Sequence, residues 1–376
     1  MSKIPIISFF TGGGFLDLGL EEAGFSVAWT NEANSVFADM YEFAMAGWRR
    51  SQKWKHFTAR ISSRESILHL KAAPILREAF PKGAPGLFGV VGGPPCPDFS
   101  HGGTHSGHNG ENGKLTKTFV EMIMRLQPHF FLIENVAGLF VLKKHRKFLD
   151  RQIAALRNKG RYVVDSKLLN ALELGVPQYR ERVFLIGCRK TTAERALGRG
   201  LDWREAGWFP WPEISKYSGA TDLDWPTTIR FGSTPKKPRG IPAELTVHSA
   251  LAGNGDPEKL PNGREFFNAY SEKFRERDEG DVSAKSFKRL HRYRYSPTAW
   301  YGNQEVHLHP WKPRRLSVRE ALRIQSVPDD YVLPAEQSLS AKFKLICNGV
   351  PCRMAEVLGI ELRKFLEAGT KKTKSR

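Results

Sequence analysis

"IPIISFFTGGGFLDLGLEEAGFSVAWTNE", residues 4–32, decides the fold. Its opening run is rich in the branched and aromatic side chains that suit a half-buried pleat. Gly12, Gly13 and Gly14 then turn the chain, and "FLDLGLEEAG" sets apolar residues at helical spacing. A second strand, "FSVAWTNE" (25–32), ends on an acid. Strand, glycine turn, helix and strand make the first unit of a doubly wound α/β sheet. The glycines let a ligand approach the backbone, and Glu32 at the second strand's end can accept hydrogen bonds from ribose hydroxyls. NAD, FAD and S-adenosylmethionine all fit, and so does a tight turn that binds nothing. The spacing is not the GxGxxG of dehydrogenases.

The alternation continues outward from this unit. A helix is expected over about 34–47, a strand at "GLFGVV" (86–91), a helix near 115–127 and a very apolar strand at "HFFLIEN" (129–135). A basic amphipathic helix near 141–158 leads to two β-like runs, "RYVVDSKLLNA" (161–171) and "RVFLIGC" (182–188). Strands alternating with helices predict a parallel sheet. Past about residue 190 the pattern breaks. Residues 191–312 are rich in Trp, Pro, Gly and charge and read as a separate, irregular domain. Helical patterning returns at 317–325 and 353–367, where the chain rejoins the sheet. The expected division is therefore 1–190, 191–339 and 340–376.

The 376 residues can bury a sizeable core. Lys plus Arg exceed Asp plus Glu by 58 − 39 = 19, and 15 remain without the basic tail "KKTKSR". Such an excess favours a polyanionic partner, nucleic acid above all. No apolar run approaches the roughly 20 residues of a membrane helix, and the N-terminus lacks a signal-peptide core. Four cysteines, Cys96, Cys188, Cys347 and Cys352, form no disulfide framework and no paired CxxC, so a reducing cytoplasm is expected.

Four stretches carry chemistry. Besides the glycine turn there is "GVVGGPPCPDFS" (89–100), which places Cys96 between prolines at a strand's end, against the habit of structural thiols to hide among aliphatic side chains. In "LIENV", Glu134 and Asn135 close a buried strand, where desolvation would raise the carboxyl's pKa; a capping acid is the structural alternative. In "PQYRERVFLIG", Arg180 and Arg182 alternate and so share a face, where they could hold an oxyanion or form ordinary salt bridges. The histidines of the loop after Cys96, His101, His105 and His108, have no cysteine partners and sit among glycines, so no metal is expected.

Taken in order, these stretches resemble the DNA (cytosine-5)-methyltransferase family, its bacterial modification enzymes in particular. "FTGGGFLDLGLEEAGF" is similar to the cofactor motif, "GGPPCPDFS" to the Pro-Cys nucleophile motif, "ENV" to the catalytic acid and "QYRER" to the Gln-x-Arg-x-Arg motif. "RRLSVREALRIQSVPDDY" (314–331) resembles the motif that orders the recognition domain, and "NGVP" (348–351) the late cofactor-side motif. The resemblance implies a Rossmann-like, S-adenosylmethionine-dependent methyltransferase domain beside a smaller, irregular target-recognition domain. It implies Cys96 as nucleophile, Glu134 as acid, and Arg182 and Arg180 as partners of the base. Phe10, Thr11, Gly12, Gly14, Leu16, Glu32, Ile61, Gly93, Pro95, Asn348 and Val350 would line the cofactor, with S-adenosylhomocysteine as product. The implied partner is double-stranded DNA, with a cognate restriction endonuclease acting on the same sequence. The protein is expected to be a cytoplasmic monomer, bacterial or phage-encoded. The loop 99–113 would close over a flipped cytosine, and the basic aromatic stretch 285–303 would contact DNA through Lys285, Lys288, Arg289, Arg292 and Arg294.

Five positions depart from that pattern: Phe15 for a third glycine, Ala33 for a bulky apolar residue, Arg60 for an acid, Asn112 for a lid arginine, and Cys347 for the glycine before Asn348. Two rival readings remain. A tRNA cytosine methyltransferase of the same family would carry a Cys-Phe-Thr element, which is absent. A non-catalytic DNA-binding relative would have lost the nucleophile or the acid, and both are present. A flavin or nicotinamide enzyme is more distant.

Overall fold

The computed structural model describes residues 3–54, 57–95, 111–284, 286–299, 301 and 305–371. In chain order the elements are β1 (Ile4–Phe9), α1 (Phe15–Glu22), β2 (Phe25–Asn31), α2 (Ser35–Ser51), α3 (Ala72–Ala79), β3 (Gly89–Gly92), α4 (Glu111–Leu126) and β4 (Phe130–Val136). Next come α5 (Ala137–Val141), α6 (Lys143–Arg157), β5 (Tyr162–Asn170), β6 (Glu181–Arg189) and α7 (Lys190–Leu197). Short helices α8 (Val247–Ala252) and α9 (Lys273–Glu276) interrupt a long irregular stretch. The chain finishes with α10 (Val318–Ile324), α11 (Leu339–Asn348) and α12 (Cys352–Lys371).

The six strands form one sheet in the order β2-β1-β3-β4-β6-β5. The first four are parallel, as the βα alternation predicts. The last pairings differ from the expectation of a parallel sheet: β6 runs antiparallel to both β4 and β5. The cause is the connection. Between Asn170 and Glu181 the chain has too few residues for a crossover, which needs a dozen or more, so it returns as a hairpin and β6 slots between its neighbours.

β4 is buried along its length, and its two phenylalanines fix the packing on both faces. Phe130 lies opposite Gly89 of β3 and Phe131 opposite Gly187 of β6. A Cβ at either glycine would collide with the facing ring. Each ring thus occupies space that a neighbouring strand leaves open. One face of the sheet is covered by α1, α7 and α12 through residues such as Leu20, Phe130, Leu132 and Leu358; α3, α4 and α6 cover the other through Phe119, Ile123, Phe131 and Leu149.

The irregular stretch does not stand wholly apart. Trp208 and Phe209 pack on Phe365 of α12, with ring centroids 5.5 and 5.7 Å apart. Val247, Leu251 and Leu290 join a core with α2, α10 and α11. Among the described residues no named strand forms between 198 and 316; Trp, Pro and Gly supply shape there without periodicity. No helix of the described residues is long and apolar enough to cross a membrane.

Candidate catalytic and cofactor site

The turns that leave β1 and β3 and the last residues of β4 lie side by side at one sheet edge, because Phe9 is in register with Gly92 and Gly92 with Ile133. Ligands of open α/β sheets bind at this edge.

After Phe9 the backbone needs positive φ at Phe10 (55°), Gly12 (53°) and Gly14 (78°), the last being the N-cap of α1. Gly12 faces open space, with no atom within 4 Å of a notional Cβ. Beside it, the buried Thr11 Oγ1 has no hydrogen-bond partner among the described residues. Open room and an unanswered hydroxyl suit the incoming polar groups of a cofactor. Glu32 lies at the end of β2, but its carboxylate is already engaged. Oε2 accepts from the Gly12 amide and Oε1 from the Asn34 amide, both at 2.8 Å. Burial raises its pKa, against the opposing pull of those amides. Glu32 therefore shapes the loop.

The loop is braced from the far end of the chain. Tyr331 donates to the Gly13 carbonyl at 2.6 Å, and a Cβ on Gly13 would meet Leu345 at 2.5 Å. Phe15 is turned into the core, where its ring packs edge-on against Tyr331 and fills the space above Gly349. The departure at Phe15 is thus matched by a glycine 334 positions later. Sequence reasoning did not single out Tyr331 or Leu345; "VPDDY" placed Tyr331 in a motif without indicating its contact.

The other expected cofactor residues are spread more widely. Leu16 is half-buried against the α12 face, Ile61 is buried beside α2 with its amide donated to Glu42, Val350 is buried, and Pro95 and Asn348 are exposed. Ala33 and the Arg60 side chain are exposed, and the region of Arg60 forms no named strand, only a bridge between Asn31 and Ser63.

Glu134 lies near the end of β4, two residues before its last residue, Val136, and is buried. Its Oε1 pairs with Arg182 Nε at 2.9 Å. The register explains the contact: Arg182 sits opposite Val136, so its side chain rises on the same face as Glu134 two residues away. The other carboxylate oxygen faces Gly93, where a Cβ would approach it to 2.7 Å. Asn135 Nδ2 donates to the Pro94 carbonyl at 3.4 Å. The "ENV" and "GGPP" segments are thereby held together. Burial raises the Glu134 pKa; Arg182 and then Arg180 oppose the shift. Cys96, His101, His105, His108 and most of the loop 99–113 lie outside the described residues, as does the Asn112 side chain. Among the described residues no cluster of His, Cys, Asp or Glu is arranged to hold a metal.

Arg180 does not join Arg182 over the carboxylate. Fully buried, it turns to the C-terminal segment, where Nη2 donates to the carbonyls of Cys347 (2.7 Å) and Gly349 (3.0 Å). Desolvation, with Arg182 nearby, pushes its pKa down to about 9. Its Nε and Nη1 have no hydrogen-bond partner among the described residues.

The basic aromatic stretch also differs from expectation. Lys285 lies outside the described residues. Arg289 is buried and donates to the carbonyls of Phe274, Arg277, His309 and Lys312. Arg292 is locked to the buried Glu279 at 2.8 Å. Both hold the fold of the middle region; Lys288 and Arg294 remain partly exposed.

Residues 4–364 match the family model described as C-5 cytosine-specific DNA methylase. The chain is 41% identical to type II methyltransferase M.NmeDI of Neisseria meningitidis serogroup C, over 99% of this chain and 86% of that one. It is 28% identical to type II methyltransferase M.MthTI of Methanothermobacter thermautotrophicus, over 97% and 98%. In fold it is similar to a putative DNA modification methyltransferase encoded within a prophage of E. coli (TM-score 0.61, 21% identity, 97% of this chain and 100% of that one). It is also similar to S. pombe Dnmt2 methyltransferase (TM-score 0.59, 10% identity, 97% and 99%).

Proposed function

The chain belongs to the C-5 cytosine-specific DNA methylase family, and from that premise we propose how its own residues carry the reaction. The protein is a DNA (cytosine-5)-methyltransferase. The finer reading takes a cytosine flipped out of duplex DNA as the acceptor, since its ring is out of reach inside the stack and extrusion costs only a few kcal/mol. S-adenosylmethionine, when bound, supplies an electrophilic methyl group. Thr11, Gly12 and Gly14 of the loop, Glu32, Gly93 and Asn348 would hold it; the open space at Gly12 and the unpartnered Thr11 hydroxyl support that fit.

Cytosine carbon-5 is a poor nucleophile. The Cys96 thiolate adds to ring carbon-6, and the displaced electron pair makes carbon-5 able to attack the methyl group. Glu134, whose burial favours its protonated form, hydrogen-bonds or protonates ring nitrogen-3 and steadies the adduct. Arg182 orients that carboxyl and faces the cytosine O2. Methyl transfer releases S-adenosylhomocysteine; a base then takes the carbon-5 proton, and the electron pair left behind restores the ring double bond and expels Cys96 as thiolate. Arg180 acts further back, by holding the 347–349 segment.

The observation that carries this reading is the Glu134–Arg182 pair, seated against Gly93 three residues before Cys96. The type II names of the relatives support a place beside a cognate restriction endonuclease; a cytoplasmic monomer is part of the same proposal. The test is incubation with tritium-methyl S-adenosylmethionine and either duplex DNA or tRNA. Label on carbon-5 of cytosine in duplex DNA is expected. Label in tRNA alone would replace the DNA reading.

A further inference from the structure

The arginines and lysines of the middle region sort into two sets. One set points inward: Arg289 onto four carbonyls, Arg292 onto Glu279, Arg314 onto Glu258 and Glu320, Arg323 onto Asp329. These charges are consumed by the fold. The other set lies between Trp225 and Ala243, a stretch that contains no carboxylate. Arg230, Lys236, Lys237 and Arg239 are exposed there, and their side chains have no hydrogen-bond or ion-pair partner among the described residues.

The first set builds the platform for the second. Ile229 pairs with Glu279 through two backbone hydrogen bonds, and the Phe231 amide donates to Asp278 at 3.1 Å. The Arg289 guanidinium lies 3.9 Å over the Phe231 ring, and Arg292 Nη2 donates to the Ser233 carbonyl at 3.1 Å. Pro235, Pro238 and Pro242 restrict the backbone beyond that point. The result is a basic loop whose base is fixed and whose tip faces solvent. Under the tip is a pocket of about 200 Å³, lined in part by Lys237, Pro238, Thr246, His248 and Tyr293. The His248 and Tyr293 rings are 5.4 Å apart.

The pocket lies within reach of the chemistry. Ser296 is three positions along the chain from Tyr293 and bridges to Gln178, which is four positions from Arg182. Even fully extended, that path is no longer than about 30 Å, less than one turn of duplex at about 34 Å. The two places are therefore separated by less than the length of one duplex turn.

We propose that residues 233–241 are the element by which this chain grips duplex DNA, with Lys236, Lys237 and Arg239 on phosphates and the His248–Tyr293 pocket reading a base edge. The inference rests on the reading that the substrate is duplex DNA. The test measures binding of the full chain to a duplex carrying its own methylation site, and to a scrambled duplex, over a range of salt. Calorimetry with S-adenosylhomocysteine serves as the folding control. Lys236→Gln, Lys237→Gln and Arg239→Gln combined should weaken both duplexes alike and flatten the log–log salt slope by about 0.9 for each phosphate no longer neutralised. His248→Ala, or the milder Tyr293→Phe, should cost about tenfold to a hundredfold on the cognate duplex only. A wild-type slope in the folded triple variant overturns the grip. An equal loss on both duplexes in both pocket variants overturns the base reading. Failure of the substrate reading would look different, because the unaltered protein would then put no label into duplex DNA.

Discussion

At the scale of single residues, burial and neighbouring charge set the chemistry. Glu134 takes up a proton more readily than an ordinary carboxyl because it is desolvated, even with Arg182 at 2.9 Å. If its acid form is the one that works, single-turnover methylation should decline as pH rises through that raised pKa. Glu134→Gln should erase this limb and slow the step by about 10²–10⁴; an unchanged pH limb in the variant would remove Glu134 from the proton's path. Cys96→Ser should abolish turnover while leaving DNA and cofactor binding in place, because a hydroxyl is a far weaker nucleophile than a thiolate. DNA with 5-fluorocytosine at the target should trap the unaltered enzyme in a denaturant-resistant complex, since fluorine blocks the last proton loss. Asp17 is a different case. Fully buried, with Ser8 and Tyr41 donating to it, its carboxyl is pushed up to about 7 by desolvation. The folded state then holds a proton that the unfolded chain releases near pH 4. Stability from this source is complete below pH 4 and is lost as pH climbs towards 7, by at most about 1.4 kcal/mol per unit. Asp17→Asn should flatten the fall in melting temperature over that window.

At the scale of elements, the glycine loop shows what the sequence could and could not convey. "TGGG" between a strand and a helix announced a turn with left-handed residues, and the acid ending the next strand was legible as its neighbour. That Glu32 grips the Gly12 amide was not legible, because a free carboxylate and an engaged one have the same spelling. Glu32→Ala should therefore weaken S-adenosylmethionine binding by about ten- to a hundredfold, part of it through a slackened loop; calorimetry with an unchanged dissociation constant would exclude it. The strands were readable from their apolar runs, whereas the direction of β6 depends on the length of a connection. Helices α3 and α11 were not singled out. Phe15 and Gly349 are a pair only in three dimensions. Gly349→Ala should cost about 1–3 kcal/mol by overpacking. A smaller side chain at position 15 should restore much of it, a coupling that a double-mutant cycle measures.

At the scale of the whole molecule, net charge pointed to a polyanion but not to the surface that meets it. A dense run such as "KRLHRYR" looks like a nucleic-acid contact, yet its Arg289 and Arg292 are spent on carbonyls and on Glu279. Composition records how many guanidiniums exist, not how many donors remain free. Arg180 follows the same rule on the catalytic side, tying β6 to the carbonyls of Cys347 and Gly349. Arg180→Met should raise the dissociation constant for S-adenosylhomocysteine about tenfold and leave the salt dependence of DNA binding alone; calorimetry beside a salt titration checks both. The brace on the glycine loop has a further consequence. Tyr331 and Gly13 are 318 residues apart, and Gly19 of α1 lets the backbone at Cys352 come close enough that a Cβ would strike it. During synthesis the loop emerges from the ribosome long before its brace exists. On the proposed reading, in which this loop seats the methyl donor, the nascent chain would gain the braced loop only once residues 331–352 have been translated and docked. Cofactor capture would then report that folding is complete.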